Sequence, residues 1–214
     1  MGRKSRDILV LFPLWLMVFS ASSQVIIVSP ILPRIGEALS IPDAQLGWLI
    51  TVYAVALSAF ALIIGPISDR VGRRAVLLFG SASMAVALVL HGVADSFFSL
   101  LVVRGIAGAA GGMLSGGAVS YVGDYFPYER RGWANGWVMS GIAVGQIIGI
   151  PIGTILASAF GFRIAFLMFA GTMFLAVILI ALFVPQPDVK RNVSRLTVSG
   201  SVRAYLEMLR RPDV

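Results

Sequence analysis

Ten residues, Gly65 to Arg74, read GPISDRVGRR between two long apolar runs. Asp69 can accept from backbone N–H groups at a helix start or pair with an arginine. Arg70, Arg73 and Arg74 supply positive charge, Gly65 lets a neighbouring backbone come close, and Gly72 permits a tight reversal. Arg104 lies about seven residues into another apolar run, roughly 10 Å deep at 1.5 Å per residue. An ionised group there is costly and marks a functional position, the alternative being a long side chain that snorkels to the surface. Gln24 and Gln146 each bring an amide with four hydrogen-bonding positions into apolar surroundings. With Tyr53 and Ser115 they are the candidates for contact with a small polar molecule lining a pathway. Serines in apolar helices mostly bond back to their own helix, and His91, near the end of its run, reads as interfacial. The chain has no cysteine, no nucleophile placed beside a base, and no metal-ligand cluster. It offers no catalytic residue, no metal site and no support for an enzyme.

The elements that hold these residues are legible from composition. Of 214 residues, 58% are hydrophobic and 13% charged, where soluble domains carry about a quarter charged. The apolar residues gather into six runs: Ile8–Pro30, Leu46–Ile67, Ala75–Ala94, Phe97–Val122, Ala134–Phe160 and Ile164–Val184. Each is long enough to span a bilayer, and in lipid such runs satisfy their backbone as helices. The expected fold is an all-α membrane bundle over residues 1–184, followed by a polar linker over 185–214. Val198–Leu209 in that linker has the spacing of a short amphipathic helix.

The net charge of +7 could suggest nucleic acid, but its distribution sets membrane orientation instead. Basic residues 3, 4 and 6, Arg70, Arg73 and Arg74, Arg130 and Arg131, and six tail residues make fourteen of the 17. The opposite face has only Arg34 and Arg163. The positive-inside rule places both termini in the cytoplasm of a multi-pass protein of the plasma (inner) membrane.

A repeat runs beneath the spans. Gly47-Trp48, Gly65 and Gly72-Arg73 return as Gly136-Trp137, Gly153 and Gly161-Phe162-Arg163, 88 or 89 residues later. The first set ends inside and the second outside, so the bundle is read as two inverted three-helix repeats. Such repeats are a signature of secondary transporters. Small residues also recur every fourth position: Gly108, Gly112, Gly116 and Ser120, then Gly141, Gly145, Gly149 and Gly153. They allow helices to meet backbone to backbone.

Gly65-x-x-x-Asp69-Arg70-x-Gly72-Arg73-Arg74 resembles the motif between helices 2 and 3 of the major facilitator superfamily. The resemblance implies that this loop latches two six-helix halves together. Leu101-x-x-Arg104-x-x-x-Gly108 resembles the family's fourth-helix motif, which implies a role for Arg104 in proton coupling. Gly145-x-x-x-Gly149-x-Pro151-x-Gly153 resembles the fifth-helix motif of proton-driven efflux carriers, with Pro151 bending the helix. Asp124–Gly132 and Phe160–Phe166 resemble the connections after helices 4 and 5.

The resemblance implies one half of a twelve-helix fold. The expected function is the N-terminal half of a secondary active transporter that exports small organic molecules by alternating access. No cofactor is implied, and a proton gradient is the energy source. The alternatives are an uptake symporter or a half-size, non-transporting membrane subunit acting through dimerisation. The expected partners are the bilayer, a small organic substrate, and a missing C-terminal half or second copy, with an interrupted carrier favoured. In a lone half, the latch loop and the Gly145–Gly153 stripe are expected to lack the surfaces they meet.

Overall fold

The computed structural model describes residues 3–187, with side chains from Asp7 onward. Seven helices follow in order: α1 (Arg3–Ile26), α2 (Val28–Leu39), α3 (Asp43–Val71), α4 (Arg73–Val93), α5 (Phe97–Tyr125), α6 (Tyr128–Phe160) and α7 (Phe162–Phe183). All but α2 are long and apolar enough to cross a membrane, giving the six spans expected. The stretch Val198–Leu209 lies outside the described residues.

α2 was not expected. The first apolar run reads as one span to Pro30, yet α1 stops at Ile26. Pro30 has no N–H for the Ile26 carbonyl and its ring crowds that carbonyl; Pro33 does the same to Ser29. The chain turns at Ile27 and continues as a short helix, closed by Ser40 in the left-handed region at φ 52°. The Ile41 N–H then returns to the Gly36 carbonyl at 2.9 Å, a bond six residues long that ends helices commonly.

The helices pair across the repeat rather than within it. α3 lies chiefly on α5, α1 chiefly on α6, and α4 on α7. With α5, α6 and α7 equivalent to α1, α3 and α4, the α3–α5 contact maps onto α6–α1, and α4–α7 maps onto itself. The joints obey the same relation. Gly72 joins α3 to α4 at φ 106°, and Gly161 joins α6 to α7 at φ 87°. Both take a conformation that a side chain would strain. Two residues beyond each glycine an arginine reaches across to the other unit. Arg74 donates to the Ala181 carbonyl at the end of α7 at 2.6 Å. Arg163 donates to the Ala94 carbonyl at the end of α4 at 2.9 Å. Each satisfies a carbonyl that its helix leaves open, one at each end of the bundle.

Close approach comes from the glycine stripes. A Cβ on Gly108 would overlap the Tyr53 carbonyl oxygen, and one on Gly112 would sit 2.8 Å from the Phe60 Cβ. On α6, a Cβ would lie 2.8 Å from the Trp15 carbonyl at Gly141, 2.7 Å from Ser23 at Gly149 and 2.6 Å from Ile27 at Gly153. The expectation that the Gly145–Gly153 stripe lacks a surface is therefore corrected: α1 and Ile27 just beyond it are that surface. Two glycines depart the other way. Gly65 and Gly116 have nothing within 4 Å of the Cβ position, so the close approach expected at Gly65 is not made within this chain. Pro151 is exposed, and α6 continues through it as one helix.

The two stripe positions give a matched test. Gly112→Leu forces α5 off α3 and costs about 1–3 kcal/mol in reversible unfolding of the purified chain, whereas Gly116→Leu changes nothing measurable. Arg74→Ala and Arg163→Ala, being equivalent, each lower stability by about 1–2 kcal/mol in the same assay. A marked difference between them counts against the equivalence.

Candidate functional site

Arg104 is the eighth residue of α5 and only 2% exposed. Its Nε donates to the Leu49 carbonyl on α3 at 3.2 Å. Its Nη1 donates to Gln24 Oε1 on α1 at 3.3 Å. The guanidinium carbon stands 4.4 Å from the centre of the Tyr53 ring. Gln24 in turn donates through Nε2 to the Tyr53 hydroxyl at 3.3 Å. Burial of an unpaired charge in apolar surroundings costs several kcal/mol, and this set offsets it with carbonyl, amide and ring acceptors. Snorkelling is excluded, because the side chain points to partners on two other helices. Gly111 makes room for the hydroxyl: a Cβ there would fall 2.6 Å from the Tyr53 oxygen.

This cluster opens on a groove of about 470 Å³ between the end of α1, the start of α2 and the middle of α3. Tyr53 and Arg104 line it together with Ile26, Ser29, Leu57 and Ser58. The wall is apolar, with few polar groups that converge, as in sites for small molecules. Of the four pathway candidates, the structure brings Gln24 and Tyr53 together and leaves two aside. Ser115 is exposed and bonds back to the Gly112 carbonyl at 2.9 Å. Gln146 is exposed on α6 and does not line the groove. Ser29 was missed, because it lies where the first run was read as one unbroken span. His91, read as interfacial, is fully buried. Its ring stacks on Phe166 at 4.3 Å and its Nδ1 lies 2.7 Å from the Ala87 carbonyl.

The Gly65–Arg74 loop lies at the other end of the bundle. Arg73 bridges two acids: Nη2 to Asp69 Oδ1 at 2.5 Å and Nε to Asp124 Oδ2 at 2.7 Å. The Arg74 N–H donates to Gln186 Oε1 at 3.3 Å, and the Gln186 amide packs against Gly72. Tyr121 donates to the Pro185 carbonyl at 2.7 Å. Arg70 is exposed in the last turn of α3. Within this chain, α5, α7 and the residues after α7 supply the loop with partners.

The sequence model described as Major Facilitator Superfamily matches residues 14–214. Multidrug resistance protein MdtG of Proteus mirabilis (strain HI4320) is 32% identical over 181 residues, covering 82% of this chain and 45% of that protein. An uncharacterized MFS-type transporter, YceJ of Bacillus subtilis (strain 168), is 27% identical over 202 residues, covering 93% and 51%. The chain thus spans about half the length of these relatives. Among solved structures, the proton:xylose symporter XylE bound to 6-bromo-6-deoxy-D-glucose superposes with a TM-score of 0.78 at 16% identity. The superposition covers 87% of this chain and 46% of that one, and shows a shared fold.

The geometry around Arg104 fixes how its substitutions rank. Arg104→Lys keeps the charge but has no planar fork to reach Leu49 and Gln24 together, and Arg104→Met leaves both acceptors unmet. Each lowers the melting temperature of the purified chain. Gln24→Leu in the Arg104→Met background restores part of the loss, because it removes one stranded amide. Independent, additive losses would show that the pair is not coupled.

Proposed function

The chain belongs to the Major Facilitator Superfamily, and from that premise we propose that it forms one six-helix half of a proton-coupled carrier exporting small organic molecules. It is no enzyme, and the family's mode of action calls for no cofactor. The observation that carries the reading is the buried Gln24–Tyr53–Arg104 cluster opening on the groove beside α3. A polar set this costly to bury is retained where it meets a ligand or a proton. The name of the Proteus relative, a multidrug resistance protein, supports export of organic molecules.

Alternating access needs a second six-helix unit. α3 and α6 keep the least buried faces of the six spans, with Val55, Leu62, Ile147 and Ile155 all outward. Relatives of twice this length support a second unit against those faces, either further chain or a second copy. The groove and the latch loop would then sit at opposite ends of a pathway lined by α1, α3, α5 and α6. The basic residues support placing the Arg73 end, and both termini, on the cytoplasmic side of a bacterial inner membrane. Asp69, Arg73 and Arg74 would act there as the latch, and the exposed face of α6 that carries Ile147, Pro151 and Ile155 as the rocking surface, with Gly145, Gly149 and Gly153 turned inward to hold α6 against α1.

The reading is tested in everted vesicles containing the carrier with its second half, with a fluorescent organic substrate and an imposed pH gradient. Arg104→Ala should reduce gradient-driven accumulation at least tenfold while leaving downhill movement of the substrate measurable. Undiminished accumulation removes Arg104 from coupling. A single cysteine at Ser58, introduced into a chain that has none, should react with an impermeant maleimide from outside intact cells. It should be protected by substrate.

A further inference from the structure

At the same end as the latch loop, the starts of α1 and α6 flank an open cleft of about 500 Å³, lined by Asp7, Ile8, Arg130 and Trp133. We propose that Asp7 and Trp133 form a binding site for an organic cation, held closed by the chain's own Arg130. The Asp7 residue is 8% exposed. Arg130 Nη2 lies 2.7 Å from Asp7 Oδ2, yet that oxygen accepts no aligned hydrogen bond. The same guanidinium stands 5.3 Å from the centre of the Trp133 ring. A carboxylate and an indole face converging on one point are the two groups that hold a cation. Here the point is already taken by a tethered cation.

Which group belongs to the site and which can leave follows from exposure. The Asp7 side chain is 11% exposed, that of Arg130 33%. Asp7 is held in the wall by α1. Arg130 is the third residue of α6, a long and partly exposed side chain, and can swing into water without stranding its charge. When it leaves, an acid and an aromatic face remain, and they do not suit an anion. The volume holds an aryl or alkyl ammonium ion of modest size. A tethered competitor acts at millimolar effective concentration, so a free cation binds weakly until Arg130 moves aside. The site lies at the end assigned to the cytoplasm, where exported molecules load. It narrows the substrate class of the proposed export, and rests on that reading only for its biological use, because binding itself needs no transport.

The test is calorimetric titration of the full chain in lipid nanodiscs with phenyltrimethylammonium, and with benzenesulfonate as the opposite charge. Arg130→Gln should tighten phenyltrimethylammonium at least tenfold over the unsubstituted chain. Trp133→Leu in that background should weaken it about tenfold. Asp7→Asn, which removes the buried charge instead of stranding it, should abolish binding in either background, and tests the site even if Arg130→Gln fails to fold. Benzenesulfonate should bind none of these. Arg130→Gln that fails to tighten the cation, Asp7→Asn that still binds it, or sulfonate binding lost with Arg130 each overturns the site. Asp7→Asn that still binds phenyltrimethylammonium counts against this site alone, whereas loss of export with binding intact counts against the export reading.

Discussion

A guanidinium buried inside an apolar bundle sets the terms for the helices around it. Arg104 cannot discard its charge, and lipid offers no water to meet its N–H groups. The partners therefore come from elsewhere in the chain: a carbonyl on α3, an amide on α1, a ring on α3. Those bonds are reachable only if α5 lies nearly in contact with the α3 backbone. Gly108 and Gly112 allow that approach, since a methyl group at either would strike α3. The glycine stripe and the arginine are thus one device. The first removes the side chains that would hold the helices apart, and the second fixes their register once they meet.

The internal repeat arranges the rest. Because α3 packs on α5 while α6 packs on α1, neither three-helix unit is a separable body. α4 and α7 lie together at its back, with Leu77, Met84 and Leu88 fully buried on one side and Phe169 and Met173 on the other. Arg74 and Arg163 close this pair at its two ends, each reaching the last turn or cap of the other helix. A spine clasped at both ends leaves α3 and α6 as the least buried of the six spans. Charge serves three different purposes across the molecule: coordination at Arg104, clasping at Arg74 and Arg163, and ion pairing at Arg73 and Arg130.

Much of the fold was legible because the bilayer makes length and polarity nearly sufficient. The second run, Leu46–Ile67, lies inside α3, which extends to Asp43 and Val71 because polar residues at a membrane surface continue a helix without penalty. The break at Ile27 was written in Pro30 and Pro33, but the apolar character on both sides hid it. The Asp7–Arg130 pair was not legible. Its residues stand 123 positions apart, and an acid within a basic N-terminal stretch looks like part of a solvated surface.

By itself the sequence determined the number of spans, the distribution of charge between the two faces, the repeat and the family, because each is a pattern along one chain acting against a solvent of fixed thickness. The tertiary structure alone decided which polar groups meet. Gln24 and Gln146 look alike in sequence, yet one touches Arg104 and the other faces outward. The loop glycines look alike too, yet Gly72 takes a positive φ that a side chain would strain, and Gly65 has nothing within 4 Å of its Cβ position. The physical reason is common to both. Exposure and partnership depend on which face of a helix turns toward which neighbour, and rotation about a helix axis is set by packing between segments far apart in the chain.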